Sequence, residues 1–340
     1  MNYSLRASII FLTLSLFSFP VRAETPPKIV TSIAPVYALV SAVTDGVTKP
    51  VLLVKGQASP HTYTLTPEDA RALAHADIVF FIGYGLEAFL EKPLKNIPSH
   101  ATKIALMEQK GLQLFPYRHH HIWIDKEDSA HDDDDDNHSH GDHDEHDGDG
   151  EEAEHHHHTG NDAHIWLDPD NAVHMVQTIQ KELSAIDPDH STQYQANADI
   201  LLKNIADTDA RIQSKLAPYQ DTAYLVFHDG YQYFERHYHM HSIGALTLSP
   251  EKPLGAKALS DISTLIRQQH AACLFSEIEF PEKMVQSVAS TAHIPSAVLD
   301  PLGVTTAPAT YTEMLEAIAD TMVSCFTQAP AAMEEGSHAE

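Results

Sequence analysis

The sequence predicts an α/β protein with two lobes, each a mainly parallel sheet flanked by helices, joined by one long rigid interdomain helix. Strand and helix patterns alternate from residue 28 to residue 108, and they alternate again from residue 223 to residue 326. Such alternation indicates parallel βαβ units. Between the two regions, a helical apolar spacing runs from Asp189 to Ala217 without Gly or Pro. A helix of that length spans roughly 40 Å, enough to connect two lobes.

The first alternating region contains four strand patterns and three helix patterns. The segment 77–83 (DIVFFIG) is almost continuously apolar, as expected for a strand buried on both faces. Thr66 followed by Pro67 is typical of a helix start. In chain order we predict a strand at 28–34, a helix at 35–44, a strand at 49–54, a helix at 66–76, a strand at 77–83, a helix at 87–97 and a short strand at 103–108.

The remaining elements complete the two lobes. The N-terminal lobe is assigned to 24–118 and 163–187, the linking helix to 188–218 and the C-terminal lobe to 219–327. The tail, 328–340, is expected to be flexible. In chain order we predict a helix at 169–185, the linking helix, a strand at 223–227, helices at 230–238 and 256–270, a strand at 272–276, a helix at 281–291, a strand at 296–300 and a last helix at 310–326.

Residues 119–162 interrupt the first lobe with runs of His and Asp. The net charge of the chain is −27, and the stretch 125–154 holds 16 of its 48 acidic residues and a single basic one. A segment with so few apolar side chains cannot bury enough surface to order itself, so we predict a disordered loop. The acidic balance argues against a nucleic-acid partner.

The N-terminus has the three parts of a secretory signal peptide. A positive residue, Arg6, precedes an apolar run at 7–19, and Val21-Arg22-Ala23 fits a cleavage site. We therefore predict a signal peptide at 1–23, a periplasmic protein and no membrane-spanning segment in the mature chain. In that oxidising compartment, a pair such as Cys273 and Cys325 is usually a disulfide, although two thiolates holding a metal are an alternative.

Four candidate metal ligands follow predicted strands: His61, His164, His228 and Asp300. Parallel sheets present ligands at the carboxyl ends of their strands. Three neutral imidazoles and one oxygen suit tetrahedral Zn²⁺. The sequence distances between these residues are too large for spacing alone to establish a site, and a single loop histidine is more often a hydrogen-bonded residue. Glu277, near a strand end, is a candidate hydrogen-bond partner for a ligating imidazole, with a surface carboxylate as the alternative.

Four motifs in order connect these residues to a known family. Together they resemble the motifs of the metal-binding receptors of zinc and manganese ABC importers. The four motifs are 56–87 (GQASPHTYTLTPEDARALAHADIVFFIGYGLE), 164–169 (HIWLDP), 226–235 (VFHDGYQYFE) and 299–303 (LDPLG). The similarity covers about 28–326 and is greatest to the zinc-uptake branch. It implies two lobes joined by a rigid helix with the metal between them. It also implies a receptor, not an enzyme, that carries Zn²⁺ to an inner-membrane permease with its cytoplasmic ATPase. A monomer is the default expectation for a soluble receptor.

The resemblance also assigns the ligands. The positions that match family ligands are His61, His164 and His228, and the Asp of the last motif matches Asp300. The manganese branch carries Glu where this chain has His228, and a third imidazole favours zinc. Several zinc receptors carry Glu just before the first ligand, whereas this chain has Pro60. The fourth ligand is therefore Asp300 or a water, and we expect Asp300. The paired cysteines also resemble the zinc branch, which implies the disulfide.

Two further groups of histidines are present. In an extended segment, His237, His239 and His241 would share one face and could hold a surface metal, but ordinary surface residues are the interpretation we adopt. The His/Asp-rich segment holds 12 of the 25 histidines and is a hypothesis for auxiliary zinc capture, with a solvated insertion as the alternative. Its candidate residues are His119, His120, His121, His138, His140, His143, His146, His155, His156, His157 and His158.

Three other functions are weighed against the zinc receptor. A manganese or iron receptor of the same family is the nearest, and His228 argues against it. A zinc hydrolase would share three His and an open position, but the sequence contains neither HExxH nor GxSxG. A secreted zinc buffer or adhesin without a transporter is the third.

Overall fold

Two four-stranded parallel sheets form the cores of two lobes. The computed structural model describes residues 25–96, 101–118, 122, 160–247, 256–280, 282–305 and 310–329. The strands of the first sheet follow the order β2-β1-β3-β4. They are β1 (Ile29–Thr31), β2 (Val51–Leu52), β3 (Ile78–Phe81) and β4 (Thr102–Ala105), and they pair in parallel throughout.

The second sheet repeats the topology of the first. Its order is β6-β5-β7-β8, so in both sheets the first strand lies between the second and the third. All its pairs are parallel, and its strands are β5 (Tyr224–His228), β6 (Ser242–Thr247), β7 (Cys273–Glu277) and β8 (Ser296–Leu299). The strand β6 lies where no strand was predicted from the sequence. Its sequence, SIGALT, contains Gly and Ala and lacks a clear strand pattern, although most of it is buried.

Helices cover the first sheet where the sequence predicts them. They are α1 (Ala34–Val43), α2 (Pro67–Ala74), α3 (Glu91–Asn96) and α4 (Pro169–Ile186). Thr66 caps α2 by accepting a hydrogen bond from the backbone of Asp69, and the carboxylate of Asp69 bonds back to the backbone of Thr66. This reciprocal capping box explains why α2 begins at Pro67.

A single 26-residue helix, α5 (Ser191–Leu216), links the lobes, which confirms the predicted linker. At 1.5 Å per residue it is about 39 Å long. Its buried residues follow the helical period and include Tyr194, Leu201, Ile205 and Ile212. These side chains belong to one apolar core that contains residues of both lobes. The helix is therefore part of the packing of each lobe.

The second lobe is completed by four helices and a disulfide. The helices are α6 (Gln232–Tyr238), α7 (Ala256–Gln268), α8 (Glu282–Ala292) and α9 (Tyr311–Phe326). Cys273 and Cys325 form the predicted disulfide, which joins β7 to α9 with a Cα–Cα distance of 6.1 Å.

Buried hydrogen bonds connect the two lobes directly. Trp166 Nε1 donates to the carbonyl oxygen of Pro301 at 2.8 Å, and the hydroxyl of Tyr311 donates to the carbonyl oxygen of Trp166 at 2.8 Å. The hydroxyl of Tyr233 donates to the carbonyl oxygen of Asp162, also at 2.8 Å. These bonds hold the lobes together around the edge where both sheets end.

The chain on each side of the His/Asp-rich segment is held in place. The backbone N–H of Asp162 donates to the carbonyl oxygen of Phe115 at 2.8 Å, and Pro116 and Asn161 form an antiparallel bridge. The segment assigned above to a disordered loop therefore includes placed residues at its end, from Gly160 to Asp162, because Asp162 is buried and hydrogen-bonded.

Several sequence-based assignments lie outside the described residues. They are the signal peptide at 1–23, the eleven candidate capture histidines and most of the tail. Within the described ranges, no helix is both long enough and apolar enough to cross a membrane.

Candidate metal centre

Three histidines converge where the two lobes meet. One potential ligand atom of each of His61, His164 and His228 lies within 4.8 Å of the others. Their ring centroids are 5.5 Å apart for His61 and His164, 5.5 Å for His61 and His228, and 5.1 Å for His164 and His228. Residues far apart in sequence, from both lobes, thus form one cluster of imidazoles of a size suited to a single metal ion.

His228 is the last residue of β5 and is buried. Its Nδ1 donates to Oε1 of Glu277 at 2.7 Å, so the predicted partnership of these residues is present. Glu277 ends the neighbouring strand β7, which explains why the two side chains meet. The Nε2 atom of His228 is buried without a hydrogen-bond partner. With Nδ1 committed to the carboxylate, the lone pair of Nε2 is available to a cation.

The surroundings of His228 also favour a positive charge. Burial opposes protonation of the imidazole, but the charge of Glu277 and its hydrogen bond outweigh burial and raise the pKa of His228 to about 9. In the metal-free protein, Nε2 of His228 therefore carries a proton at neutral pH, and a metal ion takes the Nε2 lone pair by displacing that proton.

Asp162 orients His164 in the same manner. Its Oδ1 lies 2.6 Å from Nδ1 of His164 and also accepts the backbone N–H of that residue at 3.0 Å. Burial acts to raise the pKa of Asp162, but the charge and hydrogen bonds of His164 prevail and lower it. An ionised Asp162 fixes the ring with Nε2 directed away from it. His164 follows an isolated bridge and not a strand, so its predicted position after a strand is wrong.

His61 is the accessible member of the cluster. It lies in the turns after β2, and its side chain is half-buried, whereas His164 and His228 are both 4% exposed. Its backbone N–H donates to Oγ of Ser59 at 3.4 Å. The partial exposure of His61 indicates the side from which a small ion reaches the other two imidazoles.

Two carboxylates stand near the three imidazoles. Asp300 follows β8, and its Oδ2 accepts hydrogen bonds from the backbone N–H and the hydroxyl of Thr305 at 2.8 and 2.6 Å. Like the carboxylate of Glu279, it lies outside the group of ligand atoms within 4.8 Å of one another. Glu279 lines the same cleft as the three imidazoles. Burial, followed by the charges of Glu277 and Asp300, raises the pKa of Glu279 to about 8.

The second predicted histidine group has a different structure from the expected one. His237 lies in α6 and His239 ends it in a left-handed conformation (φ 56°), so the three histidines do not share an extended face. His239 and His241 are exposed, as the adopted surface interpretation predicts, whereas that interpretation is wrong for the half-buried His237. The ring nitrogens of His237 instead lie 3.2 Å from Oδ1 of Asp168 and 2.8 Å from Oδ1 of Asp209. Burial disfavours its charge, but these carboxylates raise the pKa of His237 to about 10.

Ligand atoms of His237, Asp168 and Asp170 also lie within 4.8 Å of one another, a spacing that a metal could occupy. A protonated imidazole between carboxylates accounts for the arrangement without one.

Sequence reasoning missed several residues that shape the centre. Asp162 stands two positions before His164, and an acidic residue so close to a ligand was a usable signal. Gly230 approaches the cluster closely: a Cβ there would lie 2.5 Å from Cε1 of His228, so an added side chain would require the ring to move. The half-buried Arg118 pairs with Asp229 and Glu235, which links the chain before the His/Asp-rich segment to the residue after His228.

Comparisons with known proteins agree with this architecture. A family model described as ZnuA, zinc-uptake complex component A periplasmic, matches residues 29–325. The chain is 39% identical over 311 residues to the high-affinity zinc uptake system protein ZnuA of Brucella suis biovar 1 (strain 1330), a match that covers 88% of this chain and 92% of the relative.

Solved structures show the same fold. A ZnuA deletion mutant with zinc bound superposes with a TM-score of 0.71 at 22% identity, covering 90% of this chain and 100% of that one. The periplasmic zinc binding protein TroA from Treponema pallidum superposes with a TM-score of 0.68 at 19% identity, covering 88% and 99%. These similarities confirm two parallel-sheet lobes joined by a long helix.

Proposed function

Since the chain belongs to the ZnuA family of periplasmic zinc-uptake components, we propose that it is a high-affinity receptor that captures Zn²⁺ in the periplasm and delivers it to the permease of an ABC importer. The observation that carries the proposal is the convergence of His61, His164 and His228, two of them oriented by buried carboxylates. Imidazoles whose Nδ1 atoms are committed to carboxylates are a frequent arrangement at zinc sites.

The donor set favours zinc over manganese or iron. Three imidazole nitrogens suit a borderline ion such as Zn²⁺, whereas Mn²⁺ prefers carboxylates, carbonyls and water. His228 is the residue on which this selectivity depends, since a carboxylate in its place would supply an oxygen. A fourth donor completes a tetrahedral site, and the resemblance to the family implies Asp300 or a water there.

We propose further that the centre transports its metal and does not catalyse a reaction. A hydrolytic zinc site requires a free base beside the metal-bound water. Here Asp162 and Glu277 are hydrogen-bonded to His164 and His228 and serve to orient them. Glu279 is then the carboxylate of the cleft that could act as a base, and a turnover assay tests it. Turnover of an ester or peptide substrate that is lost on chelation and regained with zinc would contradict this part of the proposal.

The His/Asp-rich segment is proposed to collect zinc for this centre. The chain on its two sides, at Phe115–Tyr117 and Gly160–Asp162, is paired, and Asp162 is bonded to His164. Zinc bound to the segment is therefore covalently linked, through the chain, to residues beside the centre. This linkage raises the local concentration of zinc at the centre. Deletion of 119–158 is expected to reduce zinc stoichiometry and uptake at low zinc. Unchanged values for both would contradict the capture role.

Uptake in cells tests the receptor role itself. We propose that the chain is exported through a cleaved signal peptide and acts as a monomer on an inner-membrane permease with its cytoplasmic ATPase. Disruption of its gene is expected to lower growth and zinc uptake in zinc-poor medium, with recovery in excess zinc. Wild-type protein and a His75→Ala control, altered at an exposed histidine that does not line the cleft, should restore uptake, whereas His228→Ala should not. Unaltered zinc uptake after disruption would instead support a buffer or adhesin without a transporter.

A further inference from the structure

The cleft contains an acidic side chain that the ligand assignment has not used. Three imidazoles leave one position of a tetrahedral zinc site open. From the cleft geometry we propose that Glu279 supplies the fourth ligand through its Oε2 atom, in preference to Asp300 or a water. This inference rests on the proposed zinc-receptor function and names the donor that completes its site.

The position of Glu279 places it beside the imidazoles. It follows β7 by two residues, at the edge of the sheet where β5 ends in His228. Together with His61, His164 and His228 it lines the cleft. Its Oε2 atom is buried and accepts no hydrogen bond from a described residue. A carboxylate oxygen without a partner is costly to bury unless a cation or a proton joins it.

Asp300 is held differently. Its Oδ2 accepts two hydrogen bonds from Thr305, which fix the carboxylate on its own loop. Its Oδ1 is also buried without a partner, but the cleft is lined by the following residues, Pro301 and Leu302, and not by Asp300. A turn of Asp300 towards the metal would strain or break the bonds to Thr305. Glu279 lines the cleft, and its Oε2 atom can move towards the metal without breaking a bond to a described residue.

The charges around the cleft agree with a bound cation. Glu277 and Glu279 both line it, and its described lining includes no Lys or Arg side chain. A divalent ion offsets these two carboxylates at the place where they meet. With Glu279 as a ligand, each lobe supplies two donors: His61 and His164 from the first, His228 and Glu279 from the second. The metal then links the lobes through an equal number of ligands from each.

Zinc titration of single variants of the full mature chain tests the assignment. Zinc affinity is measured by competition with a chelator for wild type, Glu279→Gln, Glu279→Ala and Asp300→Asn. Altering a residue that hydrogen-bonds to a metal ligand usually weakens metal binding by about 10–100-fold. We expect the loss of a ligand itself to cost no less, so both Glu279 variants should bind zinc more weakly by about tenfold or more. Asp300→Asn, which removes a charge from the same edge of the sheet, should lose less.

Thermal unfolding separates a ligand from a merely structural side chain. Zinc raises the unfolding temperature because it binds only the folded state. Without zinc, the Glu279 variants should unfold at the same temperature as wild type. With zinc, their unfolding temperature should rise less than that of wild type. Wild-type zinc affinity in both Glu279 variants overturns the inference, as does a larger loss in Asp300→Asn. If wild type binds no zinc, or His228→Ala binds it as tightly as wild type, the zinc-receptor function fails and the inference fails with it.

Discussion

Glu277 Oε1 accepts a hydrogen bond from Nδ1 of His228 at 2.7 Å, although the two residues are 49 positions apart. Both side chains are buried and stand at the ends of adjacent parallel strands. The contact fixes the imidazole ring and directs the unpartnered Nε2 atom towards the other two histidines. The strand pairing of the second sheet thus determines the direction in which a metal ligand points.

Replacement of Glu277 by Gln should weaken zinc binding by about 10–100-fold, the usual cost of altering a partner of a metal ligand. The amide can still accept a hydrogen bond from Nδ1, but it lacks the charge that increases the basicity of the ring. Chelator competition measures the change, with the exposed Glu108→Gln as the matched control. Equal affinities for the two variants would show that the buried contact does not support the metal.

Zinc binding should depend on pH over a range set by His228. Its pKa is raised to about 9 in the metal-free protein, so zinc must displace a proton from this residue at any pH below that value. The proton displaced from His228 makes the affinity fall about tenfold for each pH unit, and a proton displaced from Glu279, whose pKa is raised to about 8, makes the fall steeper below that value. Titrations between pH 6 and pH 9 should show this slope together with proton release, and an affinity that is constant over the range would contradict it.

The ion pair of His237 with Asp168 and Asp209 should stabilise the fold most at low pH. Because the folded-state pKa is raised to about 10 from an ordinary value of about 6.5, its contribution is complete below about pH 6.5 and is lost as the pH rises through 10. His237→Gln should lower the free energy of unfolding by about 1.5–3 kcal/mol at pH 6. Denaturant unfolding at pH 6 and pH 10 checks this, and a deficit of the same size at both values argues against a charged pair.

Loss of the disulfide should lower stability more than metal affinity. Cys273 and Cys325 close a loop with a sequence separation of 52, and neither lines the metal cleft. The double replacement by Ser should reduce the free energy of unfolding by about 2–4 kcal/mol. Denaturant unfolding and zinc titration of the same sample give both values. A loss of zinc affinity with unchanged stability would reverse the assignment and implicate the thiols in metal binding.

The fold was largely predictable because its signals are local. The absence of Gly and Pro between Asp189 and Ala217 predicted α5, and Thr66 with Pro67 predicted the start of α2. The strand β6 lacked such a signal, because its sequence contains small residues and no clear strand pattern. These residues are buried only through their packing in the folded sheet. The disulfide followed from the compartment and was reinforced by the family resemblance.

The metal centre was predictable only in part because it depends on tertiary contacts. The resemblance to the family singled out His61, His164 and His228, and a strand-end position singled out Glu277. The role of Glu279 becomes visible only when the cleft is formed. The surface interpretation holds for His239 and His241, which are exposed, but not for His237, whose contacts with Asp168 and Asp209 appear only in the folded chain.

Competitive binding of zinc and manganese to the mature protein without residues 119–158 tests the central claim most directly. Removal of that segment leaves the three converging histidines as the proposed high-affinity site. The account predicts one tightly bound zinc per chain, resistant to excess manganese and lost in His228→Ala. Weak zinc binding, or ready exchange of zinc for manganese, would show that the three imidazoles do not form a selective zinc site and would contradict the account.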